Sequence, residues 1–529
     1  MGKTEFPLGA GVLEELCAEI EKQGYYKKHN GKYIYVNLCM VRMQMAWVLP
    51  KLFYARGAAD ALDAGVIVLC WNESPELEKL TGAFGMELYV INRECRKNIR
   101  SFLRAGIKTS LFLLADGSGE GLKKMKKGDV PVGASMYEDI LRTSDLSTIR
   151  SCRNSTCIKK IVHLLWMYGL LEIFVKNHKP LLLVSDDIAY HEWMQEALFY
   201  THGAKIKNVS PAADETIRFD ENLWTVRRGE RNNEAIHREM ERTGDEILTK
   251  AEEYIEKRFA GKSGREIDRQ AYAGKRVIDR AAAAAELGLD PEKKNVIILA
   301  HTFTDAIFNY GHIYFRDYYE WCEETLKAAA KVKNVNWILK PHPTRKSYHE
   351  DKDSIEDMFA RHKTDNMFFF GDDISAASLK DVADVLVTIG GNGGAEFACA
   401  GVPAVIAGVP YYKGFGYTVE PKDREEYLKV LENIAEIRHL DEEQIKTAKK
   451  VFYLKASGVG EYRKFDDVFA RMVRDGYRKM REEIALEYFE SDKGTKKYND
   501  RITKEMIEYL RDADIRKTEY YKRGMKCTV

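Results

Sequence analysis

Three short segments of the sequence combine side chains and backbone groups that can bind phosphate or move protons. We name them the His-Pro segment (Lys340–Pro343), the glycine turn (Gly390–Gly394) and the His301–Asp305 segment. Each one directly follows a short apolar run, respectively VNWIL, VLVTI and NVIILA. Cations, imidazoles and the amides of glycine-rich turns are groups that bind phosphate in proteins. The three segments therefore predict an anion site at the ends of buried strands.

The His-Pro segment places one imidazole between two prolines. Pro341 and Pro343 fix the backbone on either side of His342, and Lys340 adds a positive charge. A cation and a histidine donor at a strand end suit a phosphate or diphosphate. A rigid strand-to-helix turn with an incidental histidine is the alternative, and it stays open at this point.

The glycine turn contains four glycines in five positions, at Gly390, Gly391, Gly393 and Gly394, with Asn392 between them. Such a turn lets backbone N–H groups approach an anion, and the helix that it opens favours negative charge. Glu396 lies in the first turn of that helix, where a carboxylate can bind ribose hydroxyls. The turn is not a Walker loop, because no Gly-Lys-Ser/Thr follows it.

The His301–Asp305 segment supplies candidates for acid–base chemistry. Asp305 is the stronger candidate, because a carboxylate at the rim of a cleft can accept a hydroxyl proton. His301 is interpreted equally well as a catalytic or as a structural histidine. The pair Asp186-Asp187, after the apolar run LLLV, is a weaker candidate for binding a metal or an acceptor hydroxyl, and no further metal ligands accompany it.

Apolar runs of four to eight residues alternate with helical patterns along most of the chain, which predicts βαβ units and parallel sheets. We expect an α/β fold with two doubly wound, Rossmann-like domains that face a cleft. Ser110–Ala115 (SLFLLA) is counted among the apolar runs, and Gly57 is expected to end the helix that begins at Val41. The predicted domains are 1–220 (N-terminal), 221–290 (helical connector, with nothing catalytic), 291–430 (C-terminal) and 431–529 (helices that pack back on the N-terminal domain).

Composition limits the classes of function and the cellular compartment that we expect. The 529 residues include 83 Lys and Arg and 82 Asp and Glu, and a formal net charge of +1 gives little support to nucleic-acid binding. We expect no membrane span and no signal peptide, and scattered cysteines that stay reduced in a cytoplasmic protein. The tail, with Tyr498, Tyr509, Tyr520 and Tyr521 among basic residues, is interpreted as a solvated helical face, with contact to a membrane surface or a polyanionic glycan as the alternative.

The order of these segments resembles a known family. HTFTDA, KPHP, GGNGGAEFACAGVPAV and GVPYYKGFGYT, each after an apolar run, are similar to the donor-binding half of GT-B glycosyltransferases of the capsule polysaccharide biosynthesis type, which includes Kdo transferases and is similar to sialyltransferase-like GT-B enzymes. Val132–Arg142 (VGASMYEDILR) resembles an acceptor-side motif of such proteins. The resemblance implies nucleotide-phosphate contacts by His342 and Pro343, and by Gly391, Asn392, Gly393 and Gly394, with Glu396 as the family glutamate.

The resemblance also implies a reaction, in which domain 1–220 binds the acceptor and domain 291–430 binds the nucleotide sugar. We expect transfer of a sugar, Kdo-like or otherwise acidic, from a nucleotide-sugar donor to a surface-glycan or lipid-linked acceptor in bacterial polysaccharide biosynthesis. A CMP-linked donor is favoured over UDP or GDP, and neither a metal nor a cofactor is expected. Two alternatives stay open: a nucleotide-sugar 2-epimerase, and a non-catalytic binding protein of glycan assembly. The acceptor, the stereochemical outcome, the catalytic base, the oligomeric state and a peripheral contact with the inner face of the membrane are open as well.

Overall fold

A computed structural model describes residues 6–39, 44–144, 146–185, 189–210, 213–219, 228–262, 271–272, 274–308, 313–343, 345, 353–457, 463–464, 468–473, 492–512 and 514–526. The chain forms two units. The first contains Met1–Asp139, Arg150–Val226 and Glu461–Val529, and the second contains Ile140–Ile149 and Arg227–Gly460. The chain therefore leaves the first unit and returns to it, so that most of the second unit is an insertion in the sequence of the first.

The strands, in chain order, are β1 Tyr33–Asn37, β2 Gly65–Cys70, β3 Glu87–Val90, β4 Pro180–Ser185, β5 Lys205–Ser210, β6 Ala213–Ile217, β7 Lys294–Leu299, β8 Val335–Lys340, β9 Met367–Phe369, β10 Val385–Thr388, β11 Ala404–Ile406, β12 Thr418–Val419 and β13 Arg463–Lys464.

The α-helices are α1 Ala10–Glu21, α2 Met45–Leu62, α3 Pro75–Ala83, α4 Ile91–Lys97, α5 Ile99–Ala115, α6 Gly119–Lys123, α7 Val132–Arg142, α8 Ser155–Asn177, α9 Tyr190–Thr201, α10 Arg228–Thr243, α11 Leu248–Phe259, α12 Arg280–Leu287, α13 Tyr318–Ala329, α14 Ile355–His362, α15 Leu379–Val382, α16 Gly393–Glu396, α17 Arg424–Glu432, α18 Glu442–Ser457, α19 Asp492–Asp512 and α20 Glu519–Met525. Single 3₁₀ turns cover Ala376–Ser378, Phe397–Ala400, Ile434–Glu436 and Ile515–Lys517.

The first unit has a sheet with strand order β13-β6-β5-β4-β1-β2-β3. Strands β5, β4, β1, β2 and β3 run parallel, and β6 and β13 add an antiparallel edge. The apolar runs found in the sequence form these parallel strands, whose residues are almost all buried because helices cover both faces of a parallel sheet.

The C-terminal helices complete the core of the first unit. Phe469, Ile502, Tyr520 and Tyr521 are buried in one apolar cluster with side chains of α1, α2 and α3. The prediction of a solvated face is therefore wrong for Tyr520 and Tyr521, because their rings fill the core. Tyr509 packs against the same cluster, and the side chain of Tyr498 lies outside the described residues.

Helix α2 continues through Gly57, which contradicts the expectation that this glycine ends it. A Cβ atom at Gly57 would overlap the carbonyl oxygen of Tyr521, and one at Gly524 of α20 would overlap the carbonyl oxygen of Tyr54. The two glycines thus let the backbones of α2 and α20 approach each other closely. Glycine is required here by helix–helix packing and not by a helix end.

Ser110–Ala115 is the last part of helix α5 and not a strand, which is a second correction. An apolar run of six residues fits a buried strand or a helix equally well, since periodicity cannot separate them over so short a length. The side chain of Asn98 caps the helix by accepting from the N–H of Ser101 at 3.2 Å, and this start signal lies eleven or more residues upstream of the run.

The second unit has a sheet of strand order β12-β11-β10-β7-β8-β9, in which every pairing is parallel. Counted within the unit, this order is 3-2-1-4-5-6, the order of a doubly wound nucleotide-binding fold. Two parallel-sheet units with helices between successive strands confirm the predicted fold class. Within the described residues, we find no helix both long and apolar enough to cross a bilayer.

Candidate functional site

The three candidate segments follow three adjacent strands of the second unit. Thr388 at the end of β10 pairs in register with Leu299 at the end of β7, and Leu299 pairs with Lys340 at the end of β8. The chain order reverses between β7 and β10, since β8 and β9 lie on one side and β11 and β12 on the other. Ligands of open parallel sheets bind outside the carboxyl ends of the strands at such a point.

A cavity of about 210 Å³ lies at this edge of the sheet. It is lined by the candidate residues His301, Lys340, His342, Pro343, Gly391, Asn392, Gly393 and Glu396. The His-Pro segment and the glycine turn, which are about fifty positions apart in the sequence, therefore border one cavity. Asp305 and Gly394 are not among the lining residues, although Asp305 lies close enough for its charge to raise the pKa of His301 against the effect of burial.

The two histidines of the cavity lie side by side. The ring centroids of His301 and His342 are 5.5 Å apart, and Tyr318 contacts the His301 ring at 4.3 Å. Burial, with smaller contributions from His301 and Arg345, lowers the pKa of His342 to about 3. Burial also lowers the pKa of His301. Both imidazoles are therefore neutral at pH 7, so each carries a single N–H and contributes no positive charge before a ligand binds. The Nδ1 atom of His301 lies 3.2 Å from the Thr302 carbonyl oxygen.

Lys340 is held by the backbone around it. Its ammonium donates to the carbonyl oxygens of Gly371 at 2.9 Å and Ile374 at 2.8 Å, and it lies 4.9 Å from the centre of the Phe370 ring. Burial lowers its pKa to about 8. The lysine thus fixes the loop after β9, and one of its three N–H groups is left for other acceptors.

The glycine turn is shaped by close packing. A Cβ atom at Gly393 would come within 2.5 Å of the Leu299 side chain, and Gly390 has a φ of 149°, which favours glycine. The hydroxyl of Thr388 accepts from the N–H of Gly391 at 3.1 Å, and the Tyr412 hydroxyl donates to the Gly391 carbonyl at 2.8 Å. The turn is therefore held in one shape. It opens α16, which is only one turn long and continues as a 3₁₀ turn.

Glu396 is buried and already paired. The guanidinium of Arg258 donates to both of its carboxylate oxygens, at 2.9 Å for Nη2 to Oε2, and the Tyr272 hydroxyl donates to Oε1. Glu396 was expected to bind ribose hydroxyls. That role would need carboxylate lone pairs that these three donors do not already use. In this arrangement the carboxylate fixes Arg258 and Tyr272 at the wall of the cavity.

The helical connector contributes four lining residues that the sequence interpretation missed: Ala271, and the polar residues Arg258, Tyr272 and Lys275. The sequence interpretation found nothing catalytic in 221–290, and the structure brings side chains of this segment to the cavity wall. Burial lowers the pKa of the Lys275 ammonium, and nearby Asp372 raises it. Asp372 itself accepts from Arg345 at 2.8 and 2.9 Å. The sequence offered no signal for these residues, because they are single charges and rings in a charged helical stretch.

The structure does not test the weaker candidates. Asp186 and Asp187 lie outside the described residues. Within the part of the chain that the structure describes, no three His, Cys, Asp or Glu side chains are grouped so that they could hold a metal ion.

The first unit contains a second buried polar cluster, at the carboxyl ends of β1, β2 and β4. Asp139, in the segment that resembles an acceptor-side motif, accepts from His191 Nδ1 at 2.7 Å, and His191 Nε2 donates to the Cys39 carbonyl at 2.9 Å. Trp71 donates to the same carbonyl at 2.7 Å. Burial lowers the pKa of His191, but the hydrogen bond and charge of Asp139 outweigh it and raise the pKa to about 9. His191 is thus a charged donor at pH 7 that links helix α7 to the segment after β1.

Comparison with known proteins gives one match by sequence. Residues 248–457 match the profile of the family described as "Capsule polysaccharide biosynthesis protein". No curated protein matches the sequence. The matched range contains the three candidate segments and the lining residues Arg258, Tyr272 and Lys275.

Solved structures give weaker likenesses. The beta Kdo 2,4 transferase KpsC of Thermosulfurimonas dismutans aligns with a TM-score of 0.31 and 12% identity, over 56% of this chain and 88% of that protein. Anabaena Alr3699/HepE, solved in complex with UDP-glucose, aligns with a TM-score of 0.24 and 10% identity, over 84% and 99%. Likenesses at these TM-scores carry no argument about this chain's function.

The matched range includes the motifs around the cavity: a histidine between prolines after β8, and a glycine turn and buried glutamate after β10. Residues 248–457 of this chain are thus similar to the capsule polysaccharide biosynthesis family, which confirms the resemblance found in the sequence.

Proposed function

We propose that the protein is a glycosyltransferase that takes a sugar from a nucleotide-sugar donor bound in the cavity of the second unit. The observation that carries the proposal is the convergence of His342 and the glycine turn on one cavity at the point where strand order reverses. The family match over 248–457 supports it independently. The acceptor is a surface glycan or a lipid-linked sugar, and we place the reaction in the cytoplasm.

The chemistry of the lining groups suits a nucleotide phosphate. His342 lines the cavity with a neutral imidazole, Asn392 and Gly393 contribute backbone N–H groups, and Lys275 supplies a positive charge. Such donors stabilise the negative charge that grows on the leaving nucleotide while the bond from the anomeric carbon to the phosphate oxygen breaks. The acceptor hydroxyl forms the new bond to that carbon, and its proton passes to a base.

We propose Asp305 and His301 as the groups that take this proton. His301 lines the cavity, and the charge of Asp305 acts on it against the effect of burial. A proton on His301 would thus be stabilised by a carboxylate that lies outside the donor cavity. This assignment is distinct from the role of His342, which acts on the leaving phosphate.

The finer proposal is a CMP-linked, Kdo-like donor, with UDP and GDP sugars as the other nucleotide classes, and a reaction without a metal. The test is a calorimetric binding panel of CMP, CDP, UDP and GDP against the full-length protein. We expect the nucleotides of one base to bind at least ten times more tightly than those of the other bases, since the base must also contact the protein. Absence of binding by all four would contradict the proposal and favour a non-catalytic role in glycan assembly.

A nucleotide-sugar 2-epimerase is tested by the same material. A nucleotide sugar that carries the preferred nucleotide is incubated with the protein and no acceptor, and the products are followed by NMR. Conversion to the C2 epimer would exclude transfer as the primary activity. Transfer requires that the donor persist, or hydrolyse slowly to the free sugar and the nucleotide, until an acceptor is added.

A further inference from the structure

Helix α5 of the first unit has its large apolar side chains on the outside. Ile99, Leu103, Ile107, Leu111 and Leu114 are exposed, from 55% for Leu103 to 81% for Leu114. Residues spaced by three or four share one face of a helix, so these five form a continuous stripe. We call it the α5 stripe. Isolated exposed leucines are common on protein surfaces, whereas a row of five along one helix is not.

The opposite face of α5 explains why the stripe is not simply the core side of an amphipathic helix. Ser101, Ala105 and Thr109 are buried, and the Thr109 hydroxyl is satisfied by the Ala105 carbonyl at 2.8 Å. These small residues let α5 lie close against α8, where Phe102 contacts Trp166 with ring centroids 4.9 Å apart. The helix therefore packs on the protein through its small side and presents its apolar side outward.

Positive charge accompanies the stripe. From Ile91 to Lys108 the sequence contains six basic residues and one acidic residue, although the whole protein has a formal net charge of only +1. Arg100 and Arg104 are exposed along one edge of the stripe, and Arg96 and Lys97 are exposed in the preceding helix α4. An apolar helix face bordered by Arg and Lys is the pattern of helices that lie in a membrane interface with anionic lipids.

The charge distribution also indicates what kind of partner covers the α5 stripe. Two copies of this chain joined stripe to stripe would bring Arg100 and Arg104 of one copy near the same residues of the other, and like charges disfavour that contact. An anionic surface satisfies the apolar stripe and its basic edge together. We propose that α5 docks the protein on an anionic phospholipid surface, with the helix parallel to the membrane plane and the α5 stripe inserted among the lipids.

This surface is a different region of the first unit from the C-terminal tail, whose Tyr520 and Tyr521 fill the core. It is also independent of the donor cavity, which belongs to the second unit. Nucleotide binding measured without lipid therefore tests the proposed function, and binding to lipid tests the docking surface.

The experiment is flotation of the full-length protein with vesicles of phosphatidylglycerol and phosphatidylcholine in equal parts, or of phosphatidylcholine alone. The test variant is Ile107→Ser/Leu111→Ser. The matched control is Val277→Ser/Val468→Ser, which changes two other apolar residues that are 61% and 56% exposed. We expect the test variant to lose about tenfold or more in partition onto the anionic vesicles, and the control to bind like the parent. Equal binding by the two variants would overturn the proposal.

Charge is tested on the same helix. Arg104→Glu should weaken binding to the anionic vesicles, and the effect should shrink in high salt, while Arg238→Glu at an exposed position of the second unit should have no effect. Parent protein that binds phosphatidylcholine vesicles as well as anionic ones would contradict the lipid class. A parent dimer that Ile107→Ser/Leu111→Ser alone converts to monomer would assign the stripe to self-association and overturn membrane docking.

Discussion

Arg258 and Glu396 form a buried ion pair that ties helix α11 to the glycine turn. The guanidinium donates to both carboxylate oxygens, and each side chain is less than one tenth exposed. The two residues are 138 positions apart, one in the helical connector and the other in α16. The connector is thus part of the second unit, and the shape of the cavity wall depends on it.

Breaking this pair should destabilise the second unit. Arg258→Met leaves the Glu396 carboxylate buried with only Tyr272 as a donor, and we expect the free energy of unfolding to fall by about 3–5 kcal/mol. The double variant Arg258→Met/Glu396→Leu should recover much of this loss, because it buries no charge. Urea unfolding of the parent, the two single variants and the double variant measures the coupling. Additive losses would mean that the two side chains do not depend on each other.

His342 should matter for turnover and little for folding. His342→Ala removes the imidazole from the cavity wall, and loss of one donor to the leaving phosphate typically costs about 100- to 1,000-fold in kcat. The assay uses the nucleotide sugar identified by the binding panel. His439→Ala, at a position whose side chain is 55% exposed, is the control and should transfer normally. Near-normal turnover of the His342 variant with an unchanged Tm would remove this residue from the mechanism.

Lys275 should contribute to donor affinity through its charge. Lys275→Ala removes the positive charge that the connector brings to the cavity, and we expect nucleotide binding to weaken about 10- to 100-fold, as for a charged hydrogen bond. Lys333→Ala, which removes an exposed lysine before β8, should bind nucleotide like the parent. Calorimetry on both variants decides the matter: equal affinities would show that Lys275 does not face the phosphate.

The His191–Asp139 pair predicts a pH dependence of the first unit. The pKa of His191 is about 9 in the folded protein, above the ordinary value of 6.5, because Asp139 outweighs burial. Its stabilising contribution is therefore complete below pH 6.5 and is lost as the pH rises through 9, with a slope of up to about 1.4 kcal/mol per pH unit. His191→Gln should remove this slope, and His29→Gln at an exposed position should keep it. Denaturant unfolding between pH 6 and 10 is the measurement.

The crossing of α2 and α20 should tolerate no side chain at its glycines. Gly57→Ala would force the Tyr521 backbone away, and we expect a loss of about 1–3 kcal/mol or more. Gly82→Ala in α3 meets nothing within 4 Å and should be neutral or stabilising, because alanine is the better helix former. Equal Tm values for the two variants would contradict the close packing of the helices.

The sequence identified the strands of both sheets where β-branched and apolar residues ran together, as in β7 and β8. It did not separate helix from strand in Ser110–Ala115. The residues that show this segment to be helical are Asn98, which lies upstream, and the small residues of α5, which alternate with the apolar ones. Gly57 looked like a helix end because the partner that requires glycine is more than 450 positions away. Local patterns cannot reveal a requirement that only tertiary contacts impose.

The candidate site divides in the same way. His342 and the glycine turn could be recognised because parallel strands bring their carboxyl ends to one edge, so position after a strand is itself a signal. Arg258, Tyr272 and Lys275 carry no such signal, since they reach the cavity from a segment without strands. The pairing of Glu396 could not be predicted either, because a buried carboxylate and its arginine need not be close in sequence.

The insertion of the second unit between two parts of the first has a consequence for biosynthesis. Phe469, Ile502 and Tyr520 belong to the apolar cluster of the first unit, yet they are translated after nearly all of the second. The apolar core of the first unit therefore cannot be completed until the second unit has been synthesised, and the second unit can fold first. During that interval, α1 and α2 expose apolar surface of the kind that chaperones bind. A chain truncated after residue 460 would contain a complete second unit and a first unit that lacks part of its core.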